Sequence, residues 1–387
     1  MILKPKKKIL VFIDWFVPGY KAGGPIRSVE NIANGLKEVA DFYICTSNTD
    51  FGVAEPYEAI TFNEWTRFSE HIKVMYLTPD KANISNYQLI IDSEVFDTFY
   101  VNSIFSPNFA IKPLLALKRK NKLIQTIVAP RGMLGEGALK LKSTKKQVFL
   151  FASKILGIFK NVTWHASSNK EIVEIKNIFG IKETIVVAPN LPKQATTIPL
   201  NIEKIEGKLK LFFLSRISEK KNLVGALKLL QAVSNNMSIE FSIFGPKEDA
   251  NYWNECQSEI AKLPVNIIVK YEGVLKPDEI ASIINQHHFM LLPTFNENYG
   301  HVFIESFLAG KPIIISDQTP WNGLVSKNVG WDIPLTNTSK FVEVIEKCVQ
   351  MGQVEYYELS EKSFQYGKMI SEDKVVLQKN IDLFTQF

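Results

Sequence analysis

Twelve short apolar runs of four to seven residues recur through the 387-residue chain, each followed by a polar loop and, in most cases, an amphipathic stretch. That rhythm predicts strands alternating with helices, and so parallel sheets with helices on both faces. The expected strands of the first half are Ile9–Ile13, Asp41–Thr46, Lys73–Tyr76, Thr98–Asn102, Leu123–Ala129, Val162–His165 and Thr184–Val187. Those of the second half are Leu209–Leu214, Ile239–Phe244, Asn266–Tyr271, Phe289–Leu292 and Pro312–Ser316. A chain this long exceeds what one core usually serves, so two domains are expected. The pattern lapses into Pro, Asn, Thr and charge from Pro189 to Glu206, which places a hinge within 190–207. The expected domains are 1–195 and 196–370, followed by a helical tail at 371–387. No internal repeat or low-complexity tract is visible.

Two of these strand–loop–helix units carry chemistry. The run Phe289–Leu292 stops at Pro293, passes through a polar loop holding Glu297, and restarts near Tyr299 as a helix ending at Gly310-Lys311-Pro312. Open α/β sheets bind ligands where a strand's C-terminal end feeds a helix, and the N–H groups and dipole of that helix favour phosphate. Glu297 and Glu305 would repel phosphate, so they suit sugar hydroxyls on either side of it. The second unit, Lys210-Leu-Phe-Phe-Leu-Ser-Arg216 through Lys221-Asn222, has the same design with two cations in its loop. Arg216 and Lys221 can both aim at one anion above the strand end, Arg as a fork and Lys as a mobile point charge. Taken singly, the carboxylates also fit as solvated charges and the basic loop as a solvated turn.

Together these residues carry a resemblance. Glu297 and Glu305 with seven residues between them, Tyr299-Gly300 and Ala309-Gly310-Lys311-Pro312 resemble the Glu-x7-Glu signature of retaining glycosyltransferases of family four. The Arg216–Lys221 loop looks like that family's donor-phosphate loop. Phe244-Gly245-Pro246, Gly273 and Pro293 follow in its order. In the first half Gly23-Gly24, Pro130-Arg131-Gly132, His165-Ala-Ser-Ser168 and Pro189-Asn190 match its looser landmarks. The resemblance implies the GT-B fold: two Rossmann-like parallel-sheet α/β domains facing across a deep cleft, with the terminal helix crossing back to the first. It implies transfer of a hexose-type sugar from a nucleotide diphosphate donor to a glycan or lipid-linked saccharide, with retention, no metal and no cofactor. Arg216, Lys221 and Glu297 would be catalytic. Gly23, Gly24, Gly245, Asn298, Tyr299, Gly300, His301 and Glu305 would bind the donor, and Asn102, Ser103, Arg131 and His165 would lie on the acceptor side. Many relatives carry a histidine after the fourth strand, whereas this chain reads Tyr100-Val-Asn102-Ser103 there. A non-catalytic nucleotide-sugar or glycan binder is the alternative, and an epimerase of this fold a more distant one.

The formal charge of +5 is a mild excess that does not suggest nucleic acid, which would call for dense basic patches with aromatics between them. Cys45, Cys256 and Cys348 have no metal-ligand spacing and fit buried thiols in a reducing cytoplasm. Lys4–Lys8 before Ile9–Ile13 imitates a signal peptide, but Asp14 and Pro18 break the apolar run. No segment has the ~18 continuous apolar residues of a spanning helix. His287 and His288 are expected to be structural. In 139–160 the residues Val148, Phe151, Ala152, Ile155 and Phe159 share a helical face, with Lys140, Lys142, Lys145 and Lys146 at its start. That face fits either a core-packed helix or a contact with anionic membrane at the inner face of the cell membrane.

Overall fold

The computed structural model describes residues 5–120, 124–135, 139, 143–180, 182–193, 202–234 and 236–386. Leu123, Lys140, Lys142 and residues 194–201 of the expected hinge, including the 195/196 boundary, lie outside them. The chain forms two compact units: Met1–Leu191 with Lys374–Phe387, and Pro192–Asp373.

The first unit is built on an eight-stranded sheet: β1 (Lys7–Phe12), β2 (Ala40–Ser47), β3 (Thr66–Arg67), β4 (Ile72–Leu77), β5 (Thr98–Val101), β6 (Gln125–Val128), β7 (Thr163–Ala166) and β8 (Thr184–Val187). Their order is β3-β4-β2-β1-β5-β6-β7-β8. Every pairing is parallel except β3 with β4. Thr66-Arg67 is too short to leave an alternation in the sequence, so this edge strand was not foreseen. Ile9, Leu10, Val11 and Phe12 are all fully buried, which explains why β1 reads as an unbroken apolar run rather than an alternating one. The helices are α1 (Gly24–Gly35), α2 (Ile84–Asp92), α3 (Lys112–Lys120), α4 (Ser143–Ile155) and α5 (Asn169–Phe179). In α4 the structure corrects a core-packed reading of the Val148–Phe151–Ile155 face: that face points outward, and Leu150 and Ser153 on the opposite side are buried. Phe159 lies beyond the helix and is buried.

The second unit has six parallel strands: β9 (Lys208–Leu214), β10 (Ser238–Phe244), β11 (Ile267–Gly273), β12 (Phe289–Leu292), β13 (Ile313–Ser316) and β14 (Gly330–Ile333). They are ordered β11-β10-β9-β12-β13-β14. β14 was missed because Gly330-Trp-Asp-Ile has no apolar run. Its glycine is obligatory, since at φ 147° a Cβ would sit 2.1 Å from the Ile313 carbonyl oxygen. The helices are α6 (Leu223–Gln231), α7 (Ala250–Ile260), α8 (Ile280–Ile284), α9 (His301–Leu308), α10 (Leu324–Lys327), α11 (Thr338–Gln350) and α12 (Gln353–Ser371). Buried Lys204 ties the entry of β9 to the end of α11, donating to the carbonyls of Ile205, Val349 and Met351 at 3.1, 3.0 and 2.9 Å. His288 is structural: Nδ1 accepts from Lys210 N (2.9 Å) and Nε2 donates to Glu203 O (3.0 Å). His287 donates to Ile283 O at 2.8 Å.

The last helix, α13 (Lys374–Thr385), belongs to the first unit. Phe384 packs edge-on against Phe42 and tilted against Tyr100, Asn380 Nδ2 donates to Pro189 O (2.9 Å), and Leu383 is fully buried.

Candidate functional site

In the second sheet the winding reverses at β9. The chain proceeds to β10 and β11 on one side, then returns to place β12 on the other. The C-terminal ends of β9 and β12 therefore border a topological switch point, the place where such sheets bind ligands. The loops leaving these two strands are the ones the sequence singled out.

Hydrogen bonds join the two loops. Asn222 adopts a left-handed conformation (φ 57°), caps α6 through Gly225 N (3.1 Å) and donates from Nδ2 to Pro293 O (2.8 Å). Lys220 O accepts from Phe295 N and from Thr294 Oγ1, both at 2.9 Å. Ser316 Oγ, at the end of β13, donates to Thr294 O. This clamp places the ammonium of Lys221, at the end of a single 3-10 turn (Glu219–Lys221), against Glu297 Oε2. The pair is nearly sealed, with side-chain exposures of 11% and 14%. Burial pushes the Glu297 carboxyl up, but the Lys221 charge, its hydrogen bond and nearby Lys220 more than offset this, and the group lies below the ordinary carboxylate value.

Arg216 lies half-exposed on the same loop and donates to Glu248 Oε1 at 3.0 Å. Gly245 fixes the backbone beneath it. At φ 134° a Cβ would fall 1.9 Å from the Ser215 carbonyl oxygen, so only glycine lets β10 approach the residue before Arg216. Glu297 N donates to Gln318 O (3.1 Å), and Asn298 N to Glu297 Oε1 (3.1 Å). Gly300 is left-handed (φ 78°) and starts α9 with no side-chain cap. Buried His301 packs edge-on to the Tyr299 ring at 4.8 Å, and Trp321 Nε1 donates to Tyr299 O. Glu305 lies one turn into α9 and is half-buried. Phe295, in the same loop as Glu297, exposes an aromatic ring at 52%.

The first sheet has its own switch point at β1 and β5. Gly23 (φ 70°) and Gly24 open α1 there without a capping side chain, and a Cβ on either would meet nothing within 4 Å. Asn102 follows β5; its N–H donates to Phe12 O (3.0 Å), and its buried Nδ2 has no partner among the described residues. Ser103 is buried, with Oγ 3.7 Å from Met133 Sδ.

Arg131 and His165 are internal braces rather than free groups. Arg131 donates Nε to Asn102 Oδ1 (2.7 Å), one terminal nitrogen to Asn190 Oδ1 and the other to the Tyr100 hydroxyl (2.6 Å). His165 is 1% exposed; Nε2 donates to Ala188 O (2.8 Å) and Nδ1 accepts from Tyr100 (3.0 Å). Burial, then the Arg131 charge, lowers that imidazole to about 3. The network ties together the C-terminal ends of β5 to β8, and both ring nitrogens of His165, expected on the acceptor side, are taken up within it.

Two residues of this edge escaped the sequence reading. Asp14 follows β1. Its carboxylate accepts from Ser106 Oγ, and its carbonyl accepts from Ser47 N (3.1 Å) and Thr46 Oγ1 (3.2 Å). Burial raises its carboxyl, against the lowering effect of the Ser106 bond. The available signal was a carboxylate directly after the first strand. Buried Glu171 holds the Pro-Arg-Gly turn, accepting from Gly132 N (2.6 Å), Ser167 N (2.7 Å) and Ser167 Oγ (2.8 Å). Ser168-x-x-Glu171 is a capping-box pattern, and Ser168 does cap α5.

Comparisons with known proteins bear on this geometry. The family model for glycosyl transferases group 1 matches residues 196–384. The alpha-monoglucosyldiacylglycerol synthase of Streptococcus pneumoniae is 22% identical over 173 residues, 43% of this chain and 38% of that protein. The chain thus spans well under half the length of the curated relative it matches. Among solved structures, the sucrose-phosphate synthase of Thermosynechococcus elongatus superposes with a TM-score of 0.73 at 13% identity, covering 98% of this chain and 99% of that one. The Anabaena protein HepE, solved with UDP and glucose, gives 0.70 at 13% identity over 98% and 100%. WaaG, a glycosyltransferase involved in lipopolysaccharide biosynthesis, gives 0.62 at 12% identity over 98% and 100%. The fold is that of these GT-B neighbours: two Rossmann-like α/β units with parallel sheets.

Proposed function

We propose that the chain is a retaining, metal-independent glycosyltransferase of family four. It moves a hexose-type sugar from a nucleotide diphosphate donor to a hydroxyl on a glycan or lipid-linked saccharide, in bacterial surface polysaccharide synthesis. The observation that carries this reading is the Lys221–Glu297 pair at the β9/β12 switch point, inside the segment matched by the glycosyltransferase family model.

Breaking the anomeric bond sends an electron pair to the diphosphate and leaves positive charge on the sugar. Arg216 and Lys221 are positioned to stabilise the developing phosphate charge, a contribution that grows where water is excluded. The uncapped start of α9 at Gly300 adds N–H groups to the same anion. Glu297, held ionised, accepts from donor hexose hydroxyls, and Glu305 takes the ribose hydroxyls. On the first unit, Asp14 and the Nδ2 of Asn102, which has no partner among the described residues, set an acceptor beside a donor at the switch point of that sheet. Titration of the full chain by calorimetry against UDP-, GDP- and ADP-hexoses tests the reading. Saturable binding of one of them is expected, weakened about tenfold or more by Glu305→Ala, the loss of a charged hydrogen-bond acceptor. No binding across the panel sinks the proposal, and binding without nucleotide release in the presence of sugar acceptors marks a non-catalytic binder instead.

A further inference from the structure

Helix α4 exposes Val148, Phe151 and Ile155 at 63%, 68% and 70%, and Leu156 just past its end at 69%. The first three fall at i, i+3 and i+7, one stripe of the helix. Because Leu150 and Ser153 on the other side are buried, the helix is already seated and the stripe contributes nothing to the core. Contiguous apolar surface of this kind marks an interaction site.

Charge indicates what covers it. From Thr98 to Lys170 the sequence carries thirteen lysines and arginines and one carboxylate, Glu136. The whole chain is only +5, so the remainder is net acidic. Exposed Lys145 and Lys154 lie on α4 itself, and Lys160 follows it. Lys118, at the end of α3, donates to the Gly157 carbonyl beyond the helix end. Its amine is lowered by burial and by the charge of the neighbouring Lys160. A second copy docking on this face would set cations against cations, which disfavours a symmetric dimer. An apolar stripe with long basic side chains at its flanks matches the interfacial type of helix, whose lysines reach phosphates while its apolar face enters the acyl boundary.

We propose that α4 is a lipid-contact helix through which the first unit rests on an anionic bilayer surface. Val148, Phe151, Ile155 and Leu156 enter the headgroup boundary, while Lys145, Lys154, Lys118 and Lys160 meet the lipid phosphates. The proposal is independent of the donor site on the second unit.

The test is co-sedimentation of the full chain with phosphatidylcholine vesicles, with and without about 40% phosphatidylglycerol. Binding to the anionic vesicles is expected. The double variant F151E/I155E should weaken it at least tenfold at any salt concentration, and K145E/K154E should weaken it mainly at low salt. All four positions are exposed, so both variants should keep the wild-type circular dichroism spectrum and nucleotide-sugar affinity. Absence of sedimentation with anionic vesicles overturns the proposal, as does binding that F151E/I155E leaves intact. A concentration-dependent doubling of mass, abolished by F151E/I155E without vesicle binding, assigns the face to self-association and overturns it equally.

Discussion

Lys221 and Glu297 neutralise each other in a nearly dry setting, so each side chain answers for the other's stability as well as for chemistry. Removing one leaves a buried unpaired charge, a loss of about 3–5 kcal/mol. Lys221→Met and Glu297→Leu should each lower the midpoint of a urea melt. The double variant should recover most of that loss yet transfer no sugar. If the double variant loses the sum of the two singles, the pair is not coupled and its placement here is wrong. The sequence showed which residues carry charge after which strands, because those positions depend only on where apolar runs end. It did not show that Lys221 meets Glu297, since that contact needs β12 to lie beside β9, a fact of winding order. Nor did it show Arg131 held at φ 54° by Asn102, Asn190 and Tyr100, which come from two other strand ends, those of β5 and β8.

At the level of elements, the site depends on how closely strands and loops approach one another. Gly245 sets the distance from β10 to the Ser215 peptide, and Gly245→Ala would place a methyl group inside the van der Waals radius of that carbonyl. The backbone must then shift and carry Arg216 with it. A loss of stability of about 1–3 kcal/mol is expected, together with at least a tenfold loss of nucleotide-sugar affinity by calorimetry. Unchanged affinity would argue that Arg216 takes no part in binding. The long apolar runs were legible as strands because their burial on both faces leaves no polar alternation. β3 and β14 were not, being a two-residue edge and a glycine-led strand. For α4 the periodicity grouped Val148, Phe151 and Ile155 on one face, but it carried that face on to Phe159, which lies past the helix end and is buried, and it cannot say whether an apolar face points inward or outward.

At the scale of the whole molecule, three buried histidines make stability depend on pH. His165 is lowered to about 3, and His287 and His288 to about 4, in each case first by burial. Against the free value of 6.5 the unfolded chain binds more protons below that pH. The contribution is therefore fully present above pH 6.5 and is lost as pH falls toward 4, and further toward 3 for His165. Each histidine contributes a slope of up to about 1.4 kcal/mol per pH unit. Urea melts between pH 7.5 and 5, above the carboxylate range, should show falling midpoints. A flat profile there would mean that these imidazoles are charged in the fold.

The placement of α13 has a consequence for biosynthesis. The first unit takes its final helix from the far end of the chain, after Pro192–Asp373 has been laid down as the second unit. On the ribosome the surfaces that receive Leu383 and Phe384, including Phe42 and Tyr100, stand uncovered while about 180 further residues are polymerised, a wait of roughly 10–40 s at ordinary elongation rates. The first unit is therefore completed only once the second has been made, and through that interval its uncovered apolar surface stands open to aggregation.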